Sequence, residues 1–206
     1  MELIIFGATG TVGQELIKQA MEKGYSVTAF VRSPHKIQNH SNLNIHQGDV
    51  RNVTEVKKAL EGKDIVLCAL GDGKTGQIRA EGTKNIIEAM NATNTKRLIC
   101  QTTLGMGESY NNLNFIWKHI MFGYLLRKAF KDHQLQEEAI LNSNLHYTIV
   151  RPSALTDGEI TNNYHAGFNG SLKNLKLKIS RADVADFMLQ QIHTNDYMRK
   201  AVSISN

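Results

Sequence analysis

The sequence holds two cysteines, two prolines and one tryptophan in 206 residues. Each scarcity excludes a class of protein. Cys68 and Cys100 stand apart in apolar, strand-like runs, so neither a disulfide framework nor a thiolate metal site is expected, and free core thiols in a reducing cytosol fit better. The longest apolar stretch, residues 115–126, is interrupted by Lys118 and His119. It falls short of the roughly 20 residues that a bilayer span requires. Met1 leads straight into an apolar strand pattern without a charged and then apolar leader, so a soluble, cytoplasmic protein is expected. Pro34 and Pro152 each lie just after a strand, and no linker-like composition divides the chain. One domain spanning residues 1–206 is the reading. A basic stripe with interleaved aromatics is missing too: the net charge of +5 is scattered as single Lys and Arg residues. Nucleic acid is therefore not an expected partner, whereas a phosphorylated small ligand suits the surface charge. Nothing in the pattern fixes the oligomeric state, for which a monomer or a weak homodimer is the expectation.

What the chain does have is alternation. "MELIIFG" reads as a strand, and Val12, Leu16, Ile17, Ala20 and Met21 follow at helical spacing until Gly24. "YSVTAFVR" and "LNIHQGDV" read as strands, and "NVTEVKKALEG" as a helix capped by Asn52 with Glu55 three residues on. "DIVLCALG", "EGTKNIIEAMNAT" and "KRLICQTT" continue the alternation, followed by one long helix over residues 114–142 and a strand, "LHYTIVRPSAL". This order predicts a single-domain α/β fold, a parallel sheet with helices on both faces.

The chemical signal is "GATGTVG". It follows a strand and opens a helix, the context of a dinucleotide fingerprint. Gly7 permits the sharp turn, Gly10 lets backbone approach a pyrophosphate, and Gly13 lets the helix pack on the sheet, with Thr9, Thr11 and Val12 completing the cradle. At the end of the second strand, where NAD sites place an acid, the chain has Arg32 and Ser33. An Arg pairs with a 2′-phosphate, so NADP(H) is the expected cofactor.

Together "GATGTVGQ", "FVRSPHKI", "GDV", "VLCALG", "GTKNIIEAM", "YTIVRPSALTDGE" and "ISRADVADFML" resemble the atypical short-chain dehydrogenase/reductases, the Rossmann-fold group that includes NmrA-like proteins and biliverdin reductase B, a flavin reductase. The resemblance implies that Asp49 and Val50 lie beside the adenine, that Ala69, Leu70 and Gly71 run past the ribose, and that Pro152, Ser153 and Ala154 approach the nicotinamide. It also places Thr102 and Thr103 where the group usually carries serines, Thr103 matching the catalytic one.

Tyr124 and Lys128 form a Y-x-x-x-K pair like the catalytic pair of many members of this superfamily. Register argues against that role. Counting back from Arg151, the resemblance puts His133 at the Lys position and Ala129 at the Tyr position. The observed pair lies five residues early, about 140° around a helix. Tyr124 is then expected in packing and Lys128 in solvent, while Asp132-His133 matches the Asp-His pair of biliverdin reductase B and brings His133 to the nicotinamide end.

Without that Tyr, an alkoxide product would lack its acid. Flavins, quinones and linear tetrapyrroles spread the arriving charge, and their reduced anions take protons from water. The expected activity is hydride transfer from NADPH to such a small-molecule acceptor, with Thr103 and His133 as candidate catalytic residues. Apolar side chains of "NNLNFIWKHIMFGY" are candidates for a cover. The alternative is a non-catalytic NADP(H)-binding sensor, as NmrA-like proteins are thought to be. A carbonyl reductase or an epimerase would need the Tyr/Lys pair.

Overall fold

Strand β1 (Glu2–Phe6) enters the turn at residues 7–10 and leaves it as helix α1 (Thr11–Glu22). The computed structural model describes residues 1–38, 40–73, 75–169, 172 and 175–206. Five more β strands follow the same rule: β2 (Ser26–Val31), β3 (Leu43–Gln47), β4 (Ile65–Cys68), β5 (Arg97–Gln101) and β6 (His146–Pro152). Between them run α2 (Val53–Leu60), α3 (Arg79–Thr93) and α4 (Arg127–Leu141). The C-terminal part adds β7 (Ala154–Thr156), β8 (His165–Ala166), β9 (Lys178–Ser180), α5 (Arg181–Gln190) and β10 (Lys200–Ser205). The main sheet has the order β3-β2-β1-β4-β5-β6-β10-β8, parallel throughout except for β8 against β10. The order reverses between β1 and β4, which opens a crevice at the carboxyl ends of those strands.

Both faces of the sheet are buried, which is why its central strands read as continuous apolar runs. Leu3, Ile5, Leu16, Ile17 and Ala20 pack with Val184, Ala185 and Met188 on the α1/α5 side. Ile4, Phe6, Val56, Leu60, Ile86, Met90 and Ile140 form the core on the α2/α3/α4 side. Cys68 and Cys100 are neighbours in register on β4 and β5, both buried and free. Asn52 caps α2 as expected, its side chain accepting from the Thr54 and Glu55 amides. No helix among the described residues is long and apolar enough to cross a membrane.

The segment read as one helix over residues 114–142 departs from expectation. Residues Ile116–Leu125 wind as a π-helix, the backbone turns at Leu126, and α4 begins only at Arg127. The reason lies in the apolar spacing. Trp117 and Phe122 are five apart, about 140° apart on an α-helix but close to one face when each bond spans five residues. Their rings meet at 5.4 Å. Tyr124, expected in packing, is instead 81% exposed, because the inward face of the widened helix is taken by Trp117 and Phe122. Lys128 is exposed as expected. The strand anticipated over residues 145–155 divides at Ser153 into β6 and β7, and β7 pairs with β9 in a separate two-stranded sheet.

A buried ion pair ties α4 to the sheet. Arg151 on β6 donates from Nη2 to Glu137 Oε2 at 2.7 Å and from Nε to Glu137 Oε1 at 3.0 Å, with both side chains about 95% buried. Thr102 Oγ1 donates to the same carboxylate at 2.6 Å. Removing one partner of such a pair strands a charge in the core. Arg151→Met should therefore cost about 3–5 kcal/mol in urea unfolding, while Arg151→Met with Glu137→Leu should recover at least about half of that loss. A double variant as unstable as the single one would show that the pair does not act as a unit.

Candidate functional site

Gly7 ends β1 with φ +79°, and a Cβ there would collide with the Ala69 carbonyl; a Cβ on Gly13 would strike the Gly7 carbonyl. These two close approaches pull α1 down onto the crevice. The Gly10 amide donates to Gly7 O at 2.9 Å to close the turn, and Gly10 caps α1 with no side chain in the way. Free amides and the positive end of α1 thus face an open cleft of about 630 Å³. Of the residues singled out in the sequence, Gly7, Thr9, Gly10, Thr11, Val12, Ala69, Leu70, Gly71, Thr102, Thr103, His133, Pro152, Ser153 and Ala154 all border this cleft. A dinucleotide fits the donor set: a Gly-lined cradle at one end and, at the other, Ser153 with a buried Oγ that has no hydrogen-bond partner.

The remaining predicted residues divide. Gly13 packs under the turn. Arg32 is exposed just past β2 and opens onto a neighbouring groove with Gln47, Gly48, Asp49 and Glu55. Among the described residues it makes no ion pair, so its charge is available to a ligand. Ser33 precedes the short turn of helix at Pro34–Lys36. Asp49 accepts from the Arg51 amide at 2.9 Å and stays half-exposed, whereas Val50 sends its side chain into the core.

The two threonines differ. Thr102 donates its hydroxyl hydrogen bond to Glu137, so it holds the floor of the cleft rather than donating into it. Thr103 makes only a 3.3 Å bond to the Leu104 carbonyl and is half-exposed. It is the hydroxyl at this end that a ligand can recruit.

Sequence reasoning missed several bordering groups. Arg79, at the first position of α3, lies in the cleft wall with Nη1 2.6 Å from Asp72 Oδ1 and 3.5 Å from Asp132 Oδ2. Asp132 accepts in addition from the Arg79 and Ala80 amides at 3.0 Å each, capping α3 from a distance. Arg181 donates to Thr11 Oγ1 at 3.0 Å and to Asp157 at 2.7 Å, bridging α5 to the fingerprint turn. Leu113, Trp117, Phe122, Leu126, Leu155 and Leu177 supply an apolar wall. The aromatics among them were legible as cover candidates; Leu155 lies on β7 and Leu177 just before β9, strands too short to announce themselves.

His133 sits where the cleft meets the core. Nδ1 is 3.1 Å from Gln136 Oε1. Burial, with the Arg79 guanidinium adding to it, lowers its pKa from 6.5 to about 3, against the opposing pull of the Gln136 bond and the Asp72 charge. The ring is neutral at physiological pH. Among the described residues, Arg79 and His133 are the only titratable side chains bordering the cleft; no Tyr, Lys, Cys, Asp or Glu does so.

Comparison with known proteins agrees with this geometry. The family described as NAD(P)H-binding matches residues 7–195. Among curated relatives, the UPF0659 protein YMR090W of Saccharomyces cerevisiae is 27% identical over 225 residues, covering 100% of this chain and 93% of its own length. Several other relatives are longer proteins of which the chain spans about a third or less. Solved structures share the fold, two of them as follows. ChuY, an anaerobillin reductase from Escherichia coli O157:H7, superposes with a TM-score of 0.81 at 22% identity over 99% of this chain and 96% of that one. A short-chain dehydrogenase/reductase from Veillonella parvula in complex with NADP does so at 0.82 and 18% identity, over 100% and 94%.

The depressed His133 pKa has a measurable consequence. Below about pH 6.5 the unfolded chain takes up a proton that the folded ring refuses until about pH 3, so this contribution to stability is complete above 6.5 and is lost as the pH falls toward 3. Melting temperatures measured from pH 7.5 down to about 4.5 should fall more steeply for the wild type than for His133→Gln. Parallel slopes would mean that the ring titrates normally in the folded protein.

Proposed function

Because the chain belongs to the NAD(P)H-binding family, we propose that it is an NADPH-dependent reductase that passes a hydride to a planar conjugated acceptor such as a flavin, a quinone or a biliverdin-like tetrapyrrole. The observation that carries this reading is that, among the described residues, no phenol, ammonium, thiol or carboxyl group borders the cleft, and its histidine is neutral at pH 7. Reduction of a simple ketone calls for such an acid. A conjugated acceptor does not: its reduced anion is delocalised and takes its proton from water, so binding and orientation suffice.

Bound NADPH supplies the hydride from C4 of its nicotinamide. The chain's own residues do the rest. The fingerprint turn and the α1 N-terminus would hold the pyrophosphate, and Arg32 would pair with the 2′-phosphate. Thr103 and Ser153 offer hydroxyls to the carboxamide or to the acceptor. Trp117, Phe122 and Leu126 cover the acceptor and exclude water from one side. The NADP complex of the Veillonella structure and the reductase activity in the description of ChuY support the same reading by analogy of fold.

Incubation with NADPH and FMN or a quinone, following NADPH absorbance, tests the activity. Saturable oxidation is expected; tight cofactor binding with no turnover of any acceptor would instead fit a redox sensor. Arg32→Asp should weaken NADPH by about 2 kcal/mol or more, roughly thirtyfold, and NADH far less. Equal losses would remove the cofactor assignment. Tyr124→Phe should leave kcat within a few-fold of wild type, since Tyr124 stands outside the cleft, whereas Thr103→Val should cost more. A folded Tyr124→Phe protein with kcat reduced about 10²-fold would restore a carbonyl-reductase mechanism.

A further inference from the structure

Gln136 is fully buried on α4, one turn beyond His133, and its amide is held on three sides. Nε2 lies 3.1 Å from Thr83 Oγ1 on α3 and 3.3 Å from Cys100 Sγ on β5; Oε1 faces His133 Nδ1 at 3.1 Å. Which end of an amide is oxygen follows from its partners. Cys100 directs its S–H to the Gln101 carbonyl at 3.7 Å, so toward Gln136 its sulfur offers lone pairs and requires the NH₂ end. The oxygen is then the atom that meets His133. An acceptor oxygen there requires a proton on Nδ1, and a neutral imidazole has only one. Nε2 is left bare. It has no partner among the described residues, and the ring borders the cleft, with Arg79 in the same wall disfavouring a second proton.

We propose that His133 is a specificity-determining hydrogen-bond acceptor, held in the Nδ1–H tautomer by Gln136, that selects planar acceptors carrying an imide or lactam N–H over quinones, which present only carbonyl oxygens. An N–H pointing at Nε2 gains a hydrogen bond. A quinone oxygen at the same place sets lone pair against lone pair and loses its own hydration. His133 is on this account no proton donor to the reduced acceptor. The inference rests on the reductase reading and narrows its substrate class to flavin-like and tetrapyrrole-like heterocycles.

Two measurements test it. In the first, nitrogen-15 spectra of histidine-labelled protein, with the His133 signals assigned by their loss in His133→Leu, should show a protonated Nδ1 and a bare Nε2, unchanged between about pH 5 and 8. Gln136→Leu should release the lock and bring in the Nε2–H form. A protonated Nε2 in the wild type overturns the proposal whatever the binding data show. In the second, lumiflavin and its N3-methyl derivative are titrated into protein saturated with NADP⁺. The methylated flavin should bind about tenfold more weakly to the wild type, and the two should bind within about twofold of each other to His133→Leu. Equal binding of both flavins to the wild type, or binding of neither while a quinone is reduced, overturns the proposal. NADPH oxidation, measured separately, judges the reductase reading. Discrimination by N–H without turnover would count against that reading alone, and turnover without discrimination against this inference alone.

Discussion

The rest of the site depends on a helix that buries its polar face. Asp132, His133, Gln136 and Glu137 lie along one side of α4, at positions i, i+1, i+4 and i+5, and that side is turned inward. Three find partners on other elements: Asp132 on the first amides of α3, Gln136 on Thr83 of α3 and Cys100 of β5, Glu137 on Thr102 and on Arg151 of β6. His133 completes the set through Gln136. Rotating α4 by one residue, about 100°, would take Asp132, Glu137 and the Gln136 NH₂ away from their partners at roughly 1–3 kcal/mol each, more for the carboxylates. Apolar faces tolerate small rotations because any contact is nearly as good as another. A polar face with three side chains tied to other elements does not, so α4 has one azimuth, and that azimuth brings His133 to the cleft.

The fixed azimuth explains the unusual winding just before it. Residues 116–125 have to cover the cleft with Trp117 and Phe122 and then hand over to a helix whose rotation is already set. An α-helix continued backward from Arg127 would not place those two rings on one face. The π-helix does so, and the mismatch is absorbed at Leu126, whose φ of −114° and ψ of 16° lie outside the helical region. Phe122 then stacks on Phe130 at 4.5 Å, joining the cover to α4 itself. The outer side of the same segment leaves Phe115, Ile116 and Tyr124 exposed, as follows when ten mostly apolar residues have only one face to bury.

What could be read from the sequence was whatever repeats with a period or needs a residue of unique shape. The strand and helix order emerges from apolar spacing, and the fingerprint turn from Gly7 and Gly13, where no Cβ fits. The α4 register could also be read, because counting from Arg151 works when no residue is inserted between, and α4 runs unbroken from Arg127 to Leu141. The π-helix could not be read, since its spacing imitates an irregular α-helix. Arg79 escaped notice because an Arg opening a helix looks like a solvated surface group; only Asp72 and Asp132, one 7 residues upstream and the other 53 downstream, turn it into part of the cleft wall. Arg181 escaped for the same reason, 170 residues from the Thr11 hydroxyl it holds. Val50 shows what a family motif leaves open. A motif carried by resemblance places a backbone stretch, and here the side chain turned out to serve the core.

The packing also bears on why no Tyr/Lys machinery stands at the expected helix positions. Ala129, which the resemblance puts where the Tyr would sit, is buried beneath the loop that follows β4. Gly76 in that loop has φ +64°, and a Cβ on it would collide with the Lys128 carbonyl. The loop backbone therefore lies directly on α4 at residues 128–129, held there by Asp72, which accepts from the Gln77 amide at 2.8 Å and pairs with Arg79. A phenol at position 129 would have to displace this loop and break the Arg79–Asp72 pair. The cost would be a broken buried ion pair as well as a clash. The loop that fixes Arg79, whose charge adds to burial in lowering the His133 pKa, thus also closes the space an acid would need, so proton supply and helix packing are set by the same few residues.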